Sequence, residues 1–253
     1  MEVKVALVTG ASSGIGRATV LALAESGFNI VAVGRNENDL GSLRDEARDL
    51  SGSVRIHLAD ITEGSQVDRL VSETIQHMGQ LDVLVNAAGI IKSGSIEDTT
   101  LDDWDKIMTI NVKSMLNLIQ KCIPHLEKTK GNIVNVSSVT GTRAFPGLTA
   151  YCVSKAATDQ LTRCAALDLA PKGIRVNAVN PGVVVTNLHK RGGMKEDAYE
   201  EFLEKAKTTH PIGRPGEARE VADLIAFLAS DKAGWITGAT YAIDGGRAET
   251  CAR

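Results

Sequence analysis

Short β-branched runs punctuate the chain: Val5-Ala6-Leu7-Val8, Ile30-Val31-Ala32-Val33, Val83-Leu84-Val85, Ile133-Val134-Asn135-Val136 and Ile174-Arg175-Val176. They are mostly continuous rather than alternating, the pattern of strands buried on both faces of a parallel sheet. Between them, apolar residues recur at helical spacing. Val67, Leu70, Val71, Ile75 and Met78 share one stripe, and Val221, Leu224, Ile225 and Leu228 share another. Strand–helix alternation from residue 3 to about residue 180 predicts an α/β fold, a doubly wound parallel sheet of Rossmann type in one domain over residues 1–253. No repeat, low-complexity tract or linker interrupts it. One stretch breaks the rhythm. Asn187 to Pro215 carries Gly192-Gly193, a charged amphipathic segment near 195–207 and the exit Pro211-Ile212-Gly213-Arg214-Pro215-Gly216. This composition suits a lid-like insertion over a pocket, with a solvated surface excursion as the alternative.

Composition narrows the class without naming a chemistry. The 253 residues are 43% hydrophobic and 23% charged, with a formal charge of −3. That balance gives no electrostatic reason to expect nucleic acid or an anionic membrane as partner. Seven basic and seven acidic residues between 187 and 220 balance as well. No apolar run approaches the ~20 residues that span a bilayer. Met1-Glu2-Val3-Lys4 leads into a strand without a secretory or transit pattern, and Cys251-Ala252-Arg253 is not a Ser-Lys-Leu type signal, so cytoplasm is the expected location. The cysteines at 122, 152, 164 and 251 lack CxxC or zinc-finger spacing, which favours free thiols in a reducing compartment. Cys152 is expected to be a small helix residue facing the core. The histidines at 57, 77, 125, 189 and 210 show no metal-ligand spacing, and no metal site is expected.

Candidate chemistry begins at Thr9-Gly10-Ala11-Ser12-Ser13-Gly14-Ile15-Gly16, which follows the first strand and opens the first helix. In that context backbone N–H groups and a helix N-terminus cradle phosphate. Gly10 permits a tight turn, Gly14 a close approach of backbone to pyrophosphate, and Gly16 tight helix–strand packing. The spacing is GxxxGxG rather than GxGxxG. The second strand ends Val33-Gly34-Arg35-Asn36, without the carboxylate that binds the ribose hydroxyls of NAD. Arg35 offers a guanidinium suited to a 2′-phosphate, which predicts NADP(H) rather than NAD(H). Alternatively Arg35 stacks on adenine or faces solvent, and Glu37 serves an NAD ribose. Asp60, past the third strand, either accepts from the adenine amino group or caps a helix. Asn86-Ala87-Ala88-Gly89 ends the fourth strand with small side chains that let backbone approach a cofactor closely.

Tyr151 and Lys155 lie four residues apart in a helical context, so phenol and ammonium project from one face. A phenol titrates near ~10 in water, and a neighbouring cation is expected to lower it toward the working range. Ser138 lies thirteen positions upstream, at the end of an apolar run.

Taken together, Thr9–Gly16, Asn86–Gly89, Asn111, Ser138, Tyr151 with Lys155, and Pro181-Gly182-Val183-Val184-Val185-Thr186 resemble the short-chain dehydrogenase/reductase family over essentially the whole chain. The resemblance implies a ketone–alcohol oxidoreductase. Tyr151 would exchange a proton with the substrate oxygen. Lys155 would lower the tyrosine pKa and bind the nicotinamide ribose. Ser138, rather than Ser137, would hold the substrate oxygen, and Asn111 would anchor a water linking Lys155 to solvent. Pro181, Gly182, Val184 and Thr186 would fix the nicotinamide carboxamide. Members preferring NADP often carry a basic residue inside the glycine turn; here Ser12-Ser13 stands there, leaving Arg35 to meet the phosphate. The nearest resemblance is to 3-oxoacyl-thioester reductases, with steroid, polyol and general carbonyl reductases sharing the same catalytic set. Ile91, Val139, Phe145 and Leu188 suggest an apolar substrate wall, with Lys92 and Arg143 able to meet a polar end. The family also implies a homotetramer, for which Ile107, Ile110, Met115, Leu118, Ile119 and Cys122 supply more apolar positions than one core face requires. Two rivals from other classes are a sugar-nucleotide epimerase and a catalytically idle nucleotide-binding scaffold.

Overall fold

The continuous apolar runs become the centre of a sheet. The computed structural model describes residues 3–250. The strands are β1 (Val5–Thr9), β2 (Asn29–Gly34), β3 (Val54–Leu58), β4 (Val83–Asn86), β5 (Asn132–Val136), β6 (Arg175–Pro181), the short β7 (Val184–Val185) and β8 (Gly216–Glu217), and β9 (Thr240–Ile243). Seven of them form one sheet in the order β3-β2-β1-β4-β5-β6-β9, with every neighbouring pair parallel. The strand order reverses between β1 and β4, and a parallel sheet opens its ligand crevice at the carboxyl ends of strands at such a switch point.

Helices cover both faces: α1 (Gly14–Glu25), α2 (Glu37–Glu46), α3 (Gly64–Met78), α4 (Leu101–Met108), α5 (Ser114–Thr129), α6 (Thr149–Leu169), α7 (Leu188–Arg191), α8 (Glu196–Thr209) and α9 (Ala218–Ala229). Successive residues of β1 feed different cores because side chains alternate along a strand. Ala6 and Val8 pack with Val20 and Leu23 of α1 and Val221, Ile225 and Leu228 of α9; Leu7 packs with Leu70 of α3, Leu118 of α5 and Leu169 of α6. A leucine buried this completely contributes on the order of 2 kcal/mol. Both helical stripes read from the sequence point into these cores. Edge strand β3 alternates instead of running continuously apolar, and it is only half-buried.

One irregularity positions a candidate catalytic residue. Thr109–Lys113 forms a π turn between α4 and α5. Such a bulge adds one residue to the helical path and is frequent at functional sites. It leaves Asn111 buried and turned toward the strand ends.

Several expectations change here. Ile107, Met115, Leu118, Ile119 and Cys122 are buried within the protomer and Ile110 lines the cleft, so the apolar surplus expected for association is consumed by the protein's own interior. Large apolar side chains that do face outward include Leu116, Val153, Leu167 and the fully exposed Trp235. Cys152 is half-buried, not sealed in the core, while Cys122 is buried and Cys164 exposed. Cys251 and the rest of the C-terminal tripeptide lie outside the described residues. Among the described residues, no helix is long and apolar enough to cross a membrane, and no cluster of His, Cys, Asp or Glu could hold a metal.

Candidate active site

A cleft of about 1700 Å³ opens at the carboxyl ends of the strands. That exceeds the ~300–1,000 Å³ of a pocket for one drug-sized ligand, leaving room for a dinucleotide and a substrate together. Gly10, Ser12, Ser13, Gly14, Ile15 and Gly16 all line it. The turn is built by backbone constraints. Gly10 has φ +68°, and a Cβ there would lie 2.8 Å from Ala87 O and Ala88 N. A Cβ on Gly16 would collide with the Gly10 carbonyl. Ser13 is the N-cap of α1, yet its side chain makes no capping bond. A twelve-residue helix therefore presents N–H groups without a side-chain cap to the cleft, which fits a phosphate. These residues suit the pyrophosphate of a dinucleotide.

The remaining cofactor candidates divide. Ala87, Gly89, Pro181, Gly182, Val184 and Thr186 line the cleft; Asn86 does not. The Asn86 amide instead donates to Asn135 Oδ1 at 2.9 Å, inside the sheet. Arg35 lies at the cleft mouth, its side chain 71% exposed, with Asp60 Oδ2 3.7 Å away. Asp60 Oδ1 accepts from the Thr62 N–H at 3.0 Å and its hydroxyl at 2.7 Å. These bonds, chiefly the one from the Thr62 backbone, hold the Asp60 carboxyl below its ordinary pKa. Asp60 thus closes a turn rather than capping α3, whose N-cap is Glu63.

Tyr151 and Lys155 lie in the first two turns of α6, both facing the cleft and both nearly inaccessible. The Ser138 side chain lies beside the Tyr151 phenol and pulls its pKa downward. Ser138 Oγ also accepts the Thr140 N–H at 3.1 Å. Ser137, by contrast, donates its hydroxyl to the Lys155 carbonyl at 3.1 Å, so Ser138 is the serine that partners the phenol. The Asn111 amide donates to Ile90 O and to Ser154 Oγ, each at 3.0 Å, and its Oδ1 accepts the Ile90 N–H at 2.9 Å. It thereby clamps the segment after β4 onto α6. A Cβ on Gly89 would lie 3.3 Å from Asn111 Oδ1 and 3.7 Å from Lys155 Nζ, so the absence of a side chain at Gly89 lets these groups converge.

Burial reverses the expected electrostatics of the pair. Lys155 Nζ donates to Val136 O at 2.9 Å and sits 5.6 Å from the Tyr151 ring centroid. One of the three N–H groups of the ammonium is thereby committed to the Val136 carbonyl. Desolvation pushes the Tyr151 phenol up to about 12, against the downward pull of the Ser138 side chain. The same burial brings the Lys155 ammonium down to about 8, with Asp159 opposing. The protein alone holds a protonated phenol at neutral pH.

Sequence reasoning missed the groups that fasten the excursion after β6. Tyr199 of α8 donates its hydroxyl to Thr186 O at 2.9 Å and accepts the Thr186 N–H at 3.1 Å. His210 Nε2 accepts the Val183 N–H at 3.1 Å while Nδ1 faces Ala206 O at 2.9 Å, which selects the tautomer protonated on Nδ1. No sequence motif joins partners 13 and 27 residues apart across a loop. Ile91, Val139, Phe145 and Leu188 line the cleft as expected. So do Lys92, Lys106, Arg143, Lys205 and Arg247, while Asp103 is the nearby acid, paired with Lys92 at 2.5 Å. The overall charge balance conceals a cationic substrate end.

Comparison with known proteins agrees with this geometry. A family model described as enoyl-(acyl carrier protein) reductase matches residues 10–248. The 3-oxoacyl-[acyl-carrier-protein] reductase FabG of Thermotoga maritima is 40% identical over 97% of this chain and 98% of its own. The chain belongs to the short-chain dehydrogenase/reductase family. Within this family of oxidoreductases, glucose 1-dehydrogenase of Gluconobacter oxydans is 41% identical over 96% of this chain and 91% of its own. A solved Caenorhabditis elegans short-chain dehydrogenase/reductase of unknown function, determined with cofactor, superposes with a TM-score of 0.92 at 35% identity, covering 98% of this chain and 96% of that one. Similar identity to two enzymes with different named substrates shows that the shared architecture does not specify the substrate.

Proposed function

We propose that this short-chain dehydrogenase/reductase interconverts a ketone and a secondary alcohol with NADP(H), Tyr151 acting as general acid and base. The observation that carries the reading is the buried Tyr151 phenol, lining the same cleft as Ser138, Lys155 and the glycine turn. A nicotinamide bound there supplies or accepts the hydride. Ser138 and Tyr151 polarise and orient the carbonyl oxygen, and Tyr151 delivers its proton there as negative charge develops. A phenol kept un-ionised by burial is the form required for reduction. The Lys155 ammonium stabilises the phenolate that Tyr151 becomes on giving up its proton, and Asn111 keeps the Lys155 surroundings fixed. The excursion at about 187–215 works as a lid, completing one domain over residues 1–253.

Among substrates, 3-oxoacyl thioesters fit best. The bacterial relative named above reduces such a compound according to its name, and the cationic rim suits the phosphate of a pantetheine arm. Glucose 1-dehydrogenase favours a second reading, a sugar or general carbonyl reductase. Arg35 without a carboxylate at the end of β2 supports NADP(H) over NAD(H). Association into a cytoplasmic homotetramer would use outward residues such as Leu116, Val153 and Leu167; a monomer mass by light scattering would exclude it.

The test is a spectrophotometric panel of acetoacetyl thioester, quinone, steroid and sugar carbonyls with NADPH and NADH. Thioester reduction with NADPH should lead. Tyr151→Phe should lose about 10²–10⁴-fold in turnover while retaining nucleotide affinity. Near-parental turnover in that variant, or equal use of NADH, contradicts the respective part of the reading.

A further inference from the structure

The glycine turn lacks a basic residue, but a cation from elsewhere in the chain fills the space beside it. Arg191, the last residue of α7, donates from Nη1 to Ser13 Oγ at 2.8 Å across 178 positions of sequence. Its Nη2 approaches Asp39 Oδ2, in the first turn of α2, at 3.9 Å. Arg191 therefore lies between the turn that opens α1 and the start of α2, the same region that Arg35 borders from the end of β2. Both guanidiniums line the one cleft. Arg35 alone is a weak answer to a dianion, since Asp60 already shares its charge at 3.7 Å. The Asp39 contact of Arg191 is long and exposed, a loose pairing that a more highly charged, multidentate phosphate can displace.

We infer that Arg191 is the second cation of the 2′-phosphate site, so that the lid itself takes part in selecting NADP(H). This rests on the NADP(H) reading above and adds to it. Arg191 belongs to the segment that also closes over the substrate end: Leu188 and His189 line the cleft, and a Cβ on Gly192 would lie 2.8 Å from Ile91 O. A phosphate held by Arg191 consequently holds α7 down, linking cofactor identity to closure.

The probes are adenosine 2′,5′-bisphosphate and adenosine 5′-monophosphate, titrated calorimetrically into the full-length protein. Both lack nicotinamide and pyrophosphate, so the readout is independent of turnover. Wild type should prefer the bisphosphate. Arg191→Gln should weaken the bisphosphate about tenfold, the scale of one charge-assisted contact, and leave the monophosphate unchanged. Arg191→Lys should restore part of the loss. The bisphosphate should also slow amide exchange in residues 188–193 of wild type, and do so less in Arg191→Gln. Because Arg191 is half-exposed, an unchanged thermal midpoint separates binding from folding.

Outcomes separate the two readings. If wild type binds both nucleotides equally, the NADP(H) reading fails and this inference falls with it. If wild type prefers the bisphosphate and Arg35→Gln abolishes the preference while Arg191→Gln leaves it intact, only the role of Arg191 is overturned. Equal weakening of both nucleotides by Arg191→Gln also overturns it, since the guanidinium would then serve the 5′-phosphate.

Discussion

The two ends of the cleft are held by different means. At the cofactor end the backbone defines the shape: Gly10 at φ +68°, the turn pressed against Ala87, and a helix N-terminus without a side-chain cap. At the substrate end, side chains hold the excursion, with Tyr199 and His210 fastening residues 183–186 and cations lining the rim. Backbone geometry tolerates few replacements, whereas a side-chain clasp can be exchanged while the sheet stays as it is. This is a physical reason why relatives near 40% identity can carry different substrate names over one architecture.

The sharpest way to break this comparison is to add one methyl group to the backbone constraint and see whether fold and binding separate. Gly10→Ala forces a left-handed φ and a 2.8 Å contact with main-chain atoms of Ala87 and Ala88, neither of which can swing aside. The cost should be about 2–3 kcal/mol. For a chain of this size that lowers the thermal midpoint by about 5–10 °C. Nucleotide binding should fall by more than tenfold at the same time. A variant that melts like wild type, or binds nucleotide normally, would show that the turn is not under backbone control.

A smaller effect is expected where the two ends meet. Tyr199→Phe removes one hydroxyl that both donates to and accepts from Thr186. The two bonds carry about 2 kcal/mol net, and with about half of that felt at the nucleotide its affinity should drop roughly fivefold. The thermal midpoint should move by only a few degrees. The comparison fails if stability falls as far as in Gly10→Ala while binding is spared.

The same division explains what the sequence made legible. Continuous apolar runs marked β1, β2, β4 and β5 because both sheet faces are covered, and the glycine spacing marked the turn because only glycine satisfies its φ and its contacts. The Tyr151–Lys155 spacing located the pair, but its electrostatics were misread. The phenol pKa depends on burial created by residues remote in sequence, and the ammonium orientation depends on the Val136 carbonyl. Arg191 against Ser13 and Tyr199 against Thr186 are side-chain contacts across loops, for which hydrophobic periodicity carries no signal. Asn86 illustrates the reverse error, since a motif position was assigned to cofactor although its amide points into the sheet. Backbone rules travel through sequence; side-chain partnerships do not.

The least disruptive probe of the substrate end is acid. His210 is 2% exposed, and burial lowers its pKa below the ordinary 6.5, with the Ala206 carbonyl and Asp244 opposing and Arg247 reinforcing. A depressed imidazole pKa means that the unfolded chain takes up the proton more readily than the folded one. Stability is therefore fully present above about pH 6.5 and is lost as pH falls from there toward the folded-state value. His57, His125 and His189 are depressed by burial too, so the whole protein should soften in the same window. His210 differs in consequence, because protonating Nε2 removes the acceptor for the Val183 N–H and loosens the segment leading to Val184 and Thr186. Nucleotide affinity should consequently weaken a few-fold between pH 7 and 5.5. His210→Gln, which keeps an acceptor but takes up no proton, should flatten that decline while the other histidines still lower the thermal midpoint. If affinity falls with the same slope in both proteins, the clasp is not what acid opens, and the substrate end is held by the backbone as firmly as the cofactor end.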